Sequence, residues 1–390
     1  MRQKTRAQNT PIAADHIARS GAPSATEFVS HCRRYVLLAC ALADVLPDDG
    51  TGSAECRNRA VKGAPERPSA VEETSGCRIR LEESSGEEIA VEPWHPFRSA
   101  ASQQEYLAFY DQRAQRWPIP SESTMVPTTF GDTFVRVQGP ADGPPLVLLP
   151  GDSETSLSWI PVIEAFAAEH RVYALDHIND LGRSIYRTQP RRPGDFVCWL
   201  DEFFDELKLH DVRLVAHSYG GWMAALYALK FPERLDKLVL LSPPATVLRP
   251  PLGLLARAIV YGTVPSRSIV RRYLYWYAPD CVRHDETRAT IDEMVEEDIL
   301  ARRCYKRRKF VLPTVLSDED WRRLAVPTLY LVGHNDVSYN AERAVQRLAG
   351  VAPHIKTETT DGDHHLTITR PDWVIQHVLG FIADGASSRN

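Results

Sequence analysis

From residue 146 onward, short continuous apolar runs recur between longer segments of helical period. Leu146–Leu149, Val172–Leu175, Leu214–Ala216, Leu238–Leu241, Leu329–Val332 and Ile355–Thr359 read as strands. Trp159–Glu169, Phe196–Leu209, Trp222–Phe231, Ala341–Leu348 and Asp372–Ile382 read as helices and separate most of them. Strands that are apolar throughout, rather than alternating, belong to sheets buried on both faces. The pattern therefore predicts an α/β fold with a mostly parallel sheet flanked by helices. Upstream, Thr128–Phe130 and Phe134–Gln138 read as strands turning at Gly131-Asp132. Gln103–Trp117 places Tyr106, Phe109, Tyr110 and Trp117 at helical spacings, so one face should pack on a core. The alternation breaks between Ser242 and Val326, a stretch rich in Arg, Tyr and Trp. Its length fits an inserted helical cap, placed at about 246–320.

Residues 1–93 have a different character. Clusters such as DDGTGSAE and EETSGCRIRLEESSGEE combine charge with turn residues and show no sustained period, which predicts a mostly disordered extension, dispensable or regulatory. One apolar run, Tyr35–Leu46, follows Arg33 and Arg34 and superficially resembles an export signal or a lipoprotein box ending at Cys40. Asp44 interrupts it, and the long basic segment before it contains Asp15 and Glu27, so no export signal is expected. No run approaches the roughly 18 apolar residues needed to cross a bilayer. The seven cysteines form no C-x-x-C pair, which favours reduced thiols and a cytoplasmic location over a disulfide framework or a zinc ribbon. A net charge of −5 over 390 residues leaves no electrostatic footprint for nucleic acid.

The chemistry-bearing segment is Ala216-His217-Ser218-Tyr219-Gly220-Gly221, set between the strand RLVA and the helix WMAALYALK. A serine on so sharp a strand-to-helix turn projects its hydroxyl above the carboxyl edge of the sheet. The turn tolerates only small residues two positions before and after it, here Ala216 and Gly220. The following helix aims its N-terminal amides at the serine, which favours a developing oxyanion.

With that turn in place, the segment from about Trp94 onward, to about residue 385, resembles the α/β-hydrolase superfamily. Within it the match is to the carboxylesterase-like group with an "LLPG…W" loop, here Leu148-Leu149-Pro150-Gly151…Trp159. The same group carries a "D…D-x-G-R-S" loop, here running from Asp176 through Asp180 to Ser184. The resemblance implies an eight-stranded, mostly parallel sheet and a Ser-Asp-His triad. In the chain order Ser…Asp…His, Asp336 in LYLVGHNDVSYN follows a strand where that fold places its acid. Asp361 and Asp363 are rivals by composition but sit too near the candidate base. His364 stands seven positions before Pro371, the spacing of the family's base, with His365 as the rival. The resemblance also implies two oxyanion donors, the backbone N–H groups of Tyr219 and Asp152. Asp152 is a departure from the family's form, and its carboxylate should point away or be paired with a basic residue.

Other readings complete the expectation. His217 is read as a packed neighbour of the nucleophile and Arg183 as a tether for its loop. Asp361, Asp363, His364 and His365 are all metal-ligand types, but no partner motif accompanies them, so neither metal nor cofactor is expected. Leu252–Leu255, Ile259, Val260, Tyr261, Tyr273, Tyr275, Trp276 and Tyr277 give the cap an apolar, aromatic character. Arg302–Lys309, RRCYKRRK, is read as a solvated face of a cap helix. These expectations describe a serine hydrolase, foremost a carboxylesterase acting on a small-molecule, largely apolar ester, with no nucleic-acid partner and no stable membrane insertion. A non-catalytic binding relative, or an acyltransferase or thioesterase using the same triad, are the alternatives.

Overall fold

A computed structural model describes residues 95–384; the N-terminal extension and the run Tyr35–Leu46 lie outside the described residues. Helix α1 (Ala100–Ala114) precedes strands β1 (Glu122–Thr128), β2 (Gly131–Gln138), β3 (Pro145–Leu149), β4 (Arg171–Leu175) and the two-residue β5 (Ile185–Tyr186). Between β3 and β4 lie a 3-10 turn (Ser156–Trp159) and a one-turn helix, α2 (Ile163–Phe166). Then come α3 (Pro193–Glu206), β6 (Val212–His217), α4 (Ser218–Lys230) and β7 (Leu235–Leu241). The cap helices are α5 (Leu252–Thr263), α6 (Arg267–Tyr277) and α7 (Asp285–Cys304). The chain closes with α8 (Asp318–Arg323), β8 (Thr328–Gly333), α9 (Ala341–Val351), β9 (Lys356–Thr360), α10 (Leu366–Thr369) and α11 (Pro371–Ala383).

Eight strands form one path, β1-β2-β4-β3-β6-β7-β8-β9, and the short β5 pairs with β2 as a ninth. The run from β4 to β9 is parallel, whereas β1, β2 and β5 enter antiparallel. Side chains along each central strand divide between the two faces with period two. Val147 and Leu149 join Leu214, Ala216, Leu238 and Leu240 in a core closed by α3, α4 and α9. Leu146 and Leu148 join Val215, Val239, Leu329 and Leu331 in a second core closed by α2 and α11. Each such fully buried aliphatic side chain contributes about 1.5–3 kcal/mol relative to exposure. This double cover is why the strands read as uninterrupted apolar runs.

Two local expectations need correction. The helix expected over Trp159–Glu169 is cut by Pro161, which cannot donate in a helix interior; a 3-10 turn, Ser156–Trp159, and α2 stand in its place. The first strand ends, rather than begins, at Thr128. Helix α1 buries Tyr106 and Tyr110 in a small cluster with Leu300, Ala301 and Cys304 of cap helix α7, where the Tyr106 hydroxyl donates to Glu297 at 2.7 Å. Among the described residues no helix is long and apolar enough to cross a membrane.

Candidate active site

Strand β6 ends at His217 and α4 begins at Ser218, with nothing between them. The turn forces Ser218 to φ +51°, a left-handed conformation that is costly for any residue with a Cβ. A Cβ on Gly220 would stand 2.4 Å from the Pro150 carbonyl oxygen, so the position two after the serine admits glycine alone.

The structure brings Ser218, Asp336 and His364 into one hydrogen-bonded line. His364 Nε2 lies 2.8 Å from Ser218 Oγ, and His364 Nδ1 lies 2.9 Å from Asp336 Oδ2. These partners assign the tautomer: Nδ1 carries the hydrogen toward the carboxylate, leaving Nε2 to accept from the serine. Burial alone would raise the Asp336 carboxyl, but His364 and the Ser338 amide, 2.8 Å from Oδ1, outweigh it and hold it below its usual range. Loop geometry fixes Asp336 relative to His364: the His334 amide donates to Thr360 and the Asn335 amide to Gly362, joining the turns after β8 and β9.

The rival residues have other partners. Asp361 is exposed. Asp363 is buried and accepts from the amides of Asp280, Cys281 and His365 at 2.9, 3.0 and 3.0 Å, which pins the cap turn to the base loop. His365 Nε2 lies 4.0 Å from Glu154 Oε1, and burial together with His364 lowers its pKa to about 4. Of the four metal-ligand types considered in the sequence, Asp363 and His365 cluster with Cys281, their ligand atoms within 4.8 Å of one another. The amide bonds already held by Asp363 account for that grouping as an anchor of the cap.

Asp152 is paired, as its position demands. Its carboxylate meets the Arg308 guanidinium, which also reaches Asp180 at 3.2 Å and donates to the Asn179 carbonyl at 2.7 Å. This corrects the reading of Arg302–Lys309 as a solvated helix face. Helix α7 stops at Cys304, Tyr305 pairs with Phe97, and the chain continues as an extended arm. Asp180 is fully buried, and a buried carboxylate requires a counter-charge, so Arg308 turns inward. Burial works against the Arg308 cation, but the two aspartates overcome it and push its pKa upward.

His217 is more than a packed neighbour. Its Nδ1 faces Glu154 Oε2 at 2.9 Å and its Nε2 faces the His364 carbonyl at 3.0 Å. Burial opposes charging this pair, yet the mutual attraction lowers the Glu154 pKa to about 2 and raises that of His217. Arg183 ties its loop down through Asp111, and its amide donates to Asp176 at 2.8 Å. From the cap, the Tyr277 hydroxyl sits 2.7 Å from Ser338 Oγ and 3.4 Å from His364 Nε2. Tyr273 stacks on Tyr277 and Tyr261 stacks on Tyr273, so an aromatic wall rises beside His364. Glu154, His177 and Ser338 were not singled out in the sequence, and Asp180 entered only as part of the loop motif. Their only signal there is a polar side chain beside a glycine loop or the acid.

Comparison with known proteins agrees with this architecture. Residues 146–377 match the profile of the Alpha/beta hydrolase family. Carboxylesterase YbfK of Bacillus subtilis is 29% identical over 299 residues, covering 74% of this chain and 97% of that protein. A second Bacillus subtilis carboxylesterase, nap, is 29% identical over 71% of this chain and 91% of its own length. The crystal structure of YbfK (CesB) superposes with a TM-score of 0.67 at 28% identity, covering 73% of this chain and 99% of its own. That of naproxen esterase from the same organism gives 0.66 at 27% identity, over 73% and 99%. With more than half its length under the family profile and with this strand order, the chain belongs to the α/β-hydrolase family.

Proposed function

We propose that the protein is a serine carboxylesterase acting on small or medium, largely apolar carboxylic esters. The observation that carries the reading is the line Ser218 Oγ–His364 Nε2–His364 Nδ1–Asp336 Oδ2, two contacts of 2.8 and 2.9 Å. A serine hydroxyl is a weak nucleophile until a positioned base takes its proton. In the proposed reaction Ser218 Oγ attacks the ester carbonyl while His364 Nε2 accepts the hydroxyl proton, and Asp336 stabilises the imidazolium. The tetrahedral oxyanion is met by the amides of Tyr219 and Asp152. Collapse breaks the carbon–oxygen bond to the leaving alcohol, which takes the proton back from His364 and leaves an acyl group on Ser218. Water, deprotonated by His364, then attacks the acyl carbonyl; the acid departs and the serine regains its hydrogen.

The aromatic wall of Tyr277, Tyr273 and Tyr261 supports an apolar acyl or alcohol group. Both Bacillus subtilis relatives are named as carboxylesterases, which favours esters over other acyl compounds. Hydrolysis of p-nitrophenyl esters of increasing chain length by wild type and Ser218→Ala tests the reading. Turnover by wild type that falls at least about 10⁴-fold in Ser218→Ala is expected. Equal rates in the two proteins would refute it.

A further inference from the structure

Three consecutive amides in the loop after β3 meet different fates. The Gly151 amide donates to Glu154 Oε2 at 2.8 Å, and the Ser153 amide donates to Asp180 Oδ2 at 2.8 Å. The Asp152 amide between them has no acceptor among the described residues, in a loop so close that a Cβ on Gly151 would stand 2.9 Å from the Cβ of Ser218. The peptide bearing that amide has its carbonyl, the Gly151 oxygen, 3.2 Å from His177 Nε2 and 3.3 Å from the Glu154 amide. In a trans peptide the carbonyl and the N–H point in opposite directions. A donor fixed on the Gly151 oxygen therefore fixes where the Asp152 N–H points.

His177 supplies the side-chain donor on that oxygen. Its Nε2 also faces Asp180 Oδ2 at 3.1 Å, and its Nδ1 faces the Ile178 carbonyl at 2.8 Å. Every partner of the ring is an oxygen, an arrangement that suits an N–H at each nitrogen. The ring is buried, which disfavours the charge, but the bond to Asp180 overrides that and raises its pKa. A donor on the Gly151 carbonyl also polarises the peptide and strengthens its N–H as a donor.

We propose that His177, held by Asp180, is a positioning residue that sets the Gly151–Asp152 peptide so that its N–H is presented to the oxyanion. The proposal rests on the serine-hydrolase reading above. Asp180 has a double part, holding His177 and the Ser153 amide, so it clamps the loop on both sides of Asp152.

The test uses the full chain and three variants. His177→Phe fills the space without a donor, His177→Gln keeps an N–H donor at similar reach, and Asp180→Asn keeps the shape while removing the counter-charge. Each is assayed on p-nitrophenyl butyrate and for inhibition by an aryl trifluoromethyl ketone, which adds to the serine as an oxyanion. His177→Phe should lower kcat about 10²-fold with KM within about twofold, and weaken ketone inhibition by a similar factor. His177→Gln should regain activity to within about tenfold of wild type, and Asp180→Asn should fall between the two. If His177→Phe does not fold, the ketone affinity of Asp180→Asn decides: a drop supports the proposal and an unchanged value overturns it. Wild-type kcat and ketone affinity in folded His177→Phe overturn the proposal alone. Absence of ester turnover in wild type overturns the hydrolase reading and this proposal with it.

Discussion

Arg308→Met puts the electrostatics of the oxyanion loop to a quantitative test. In the native protein the guanidinium lies against both Asp152 and Asp180, and its side chain is 21% exposed. Methionine keeps much of the volume and removes the charge. What remains is the Asp152 carboxylate on the same residue whose amide is proposed to meet the oxyanion. At a separation of about 6 Å and an effective dielectric of about 20, two like charges repel by about 3 kcal/mol, or roughly 10² in rate. The expected result is a kcat/KM about 10²-fold below wild type at pH 8 on p-nitrophenyl butyrate. Burial already raises the Asp152 pKa against the pull of Arg308, so without Arg308 it rises further. The carboxyl is then neutralised as pH falls, and the ratio of variant to wild type should climb toward one between pH 8 and pH 5. Taking the ratio cancels any pH dependence common to both proteins. Adding Asp152→Asn to Arg308→Met should restore part of the loss, since of the two carboxylates that Arg308 faced only Asp180, still beside His177, remains charged. A folded variant with a ratio near one at every pH would refute the reasoning.

Three further outcomes are expected. Gly151→Ala would place a Cβ 2.9 Å from that of Ser218 and 3.0 Å from Glu154 Oε2, so kcat should fall about 10²-fold or more by the same assay, with a far smaller change in melting temperature. Glu154 has its pKa lowered to about 2, so the stability it contributes is present above about pH 4.5 and is lost as pH falls toward 2. Urea unfolding should find Glu154→Gln about 2–4 kcal/mol less stable than wild type at pH 6, with the gap closing on acidification. Tyr277→Ala removes the first ring of the aromatic wall beside His364, so the preferred p-nitrophenyl ester should shift to longer acyl chains in a chain-length series.

The sheet was legible because its strands are buried on both faces. Leu146–Leu149 or Leu238–Leu241 can hardly be anything but interior strands, and the structure pairs each in parallel with β6. Ser218 was legible because its turn is local: strand, small residue, serine, small residue and helix are contiguous. Asp336 and His364 needed the order and spacing of a known family; in their own neighbourhoods, only the strand before Asp336 sets it apart from Asp363, and nothing parts His364 from His365. It is long-range hydrogen bonding that parts them: Asp363 spends its acceptors on amides of the cap, and His365 has a depressed pKa in a buried corner. Arg308 was misread for the same reason. A run of six basic residues looks solvated in sequence, but one of them meets Asp152, 156 residues away. Single polar residues such as Glu154 and His177 take their meaning only from the loop that they grip.

The most direct measurement is to treat the folded protein with a fluorophosphonate, digest it and map the adduct by mass spectrometry. The proposed function predicts one modified residue, Ser218, with labelling abolished in Ser218→Ala and slowed in Asp336→Asn. No adduct on folded wild-type protein, or an adduct on another residue that persists in Ser218→Ala, would contradict it.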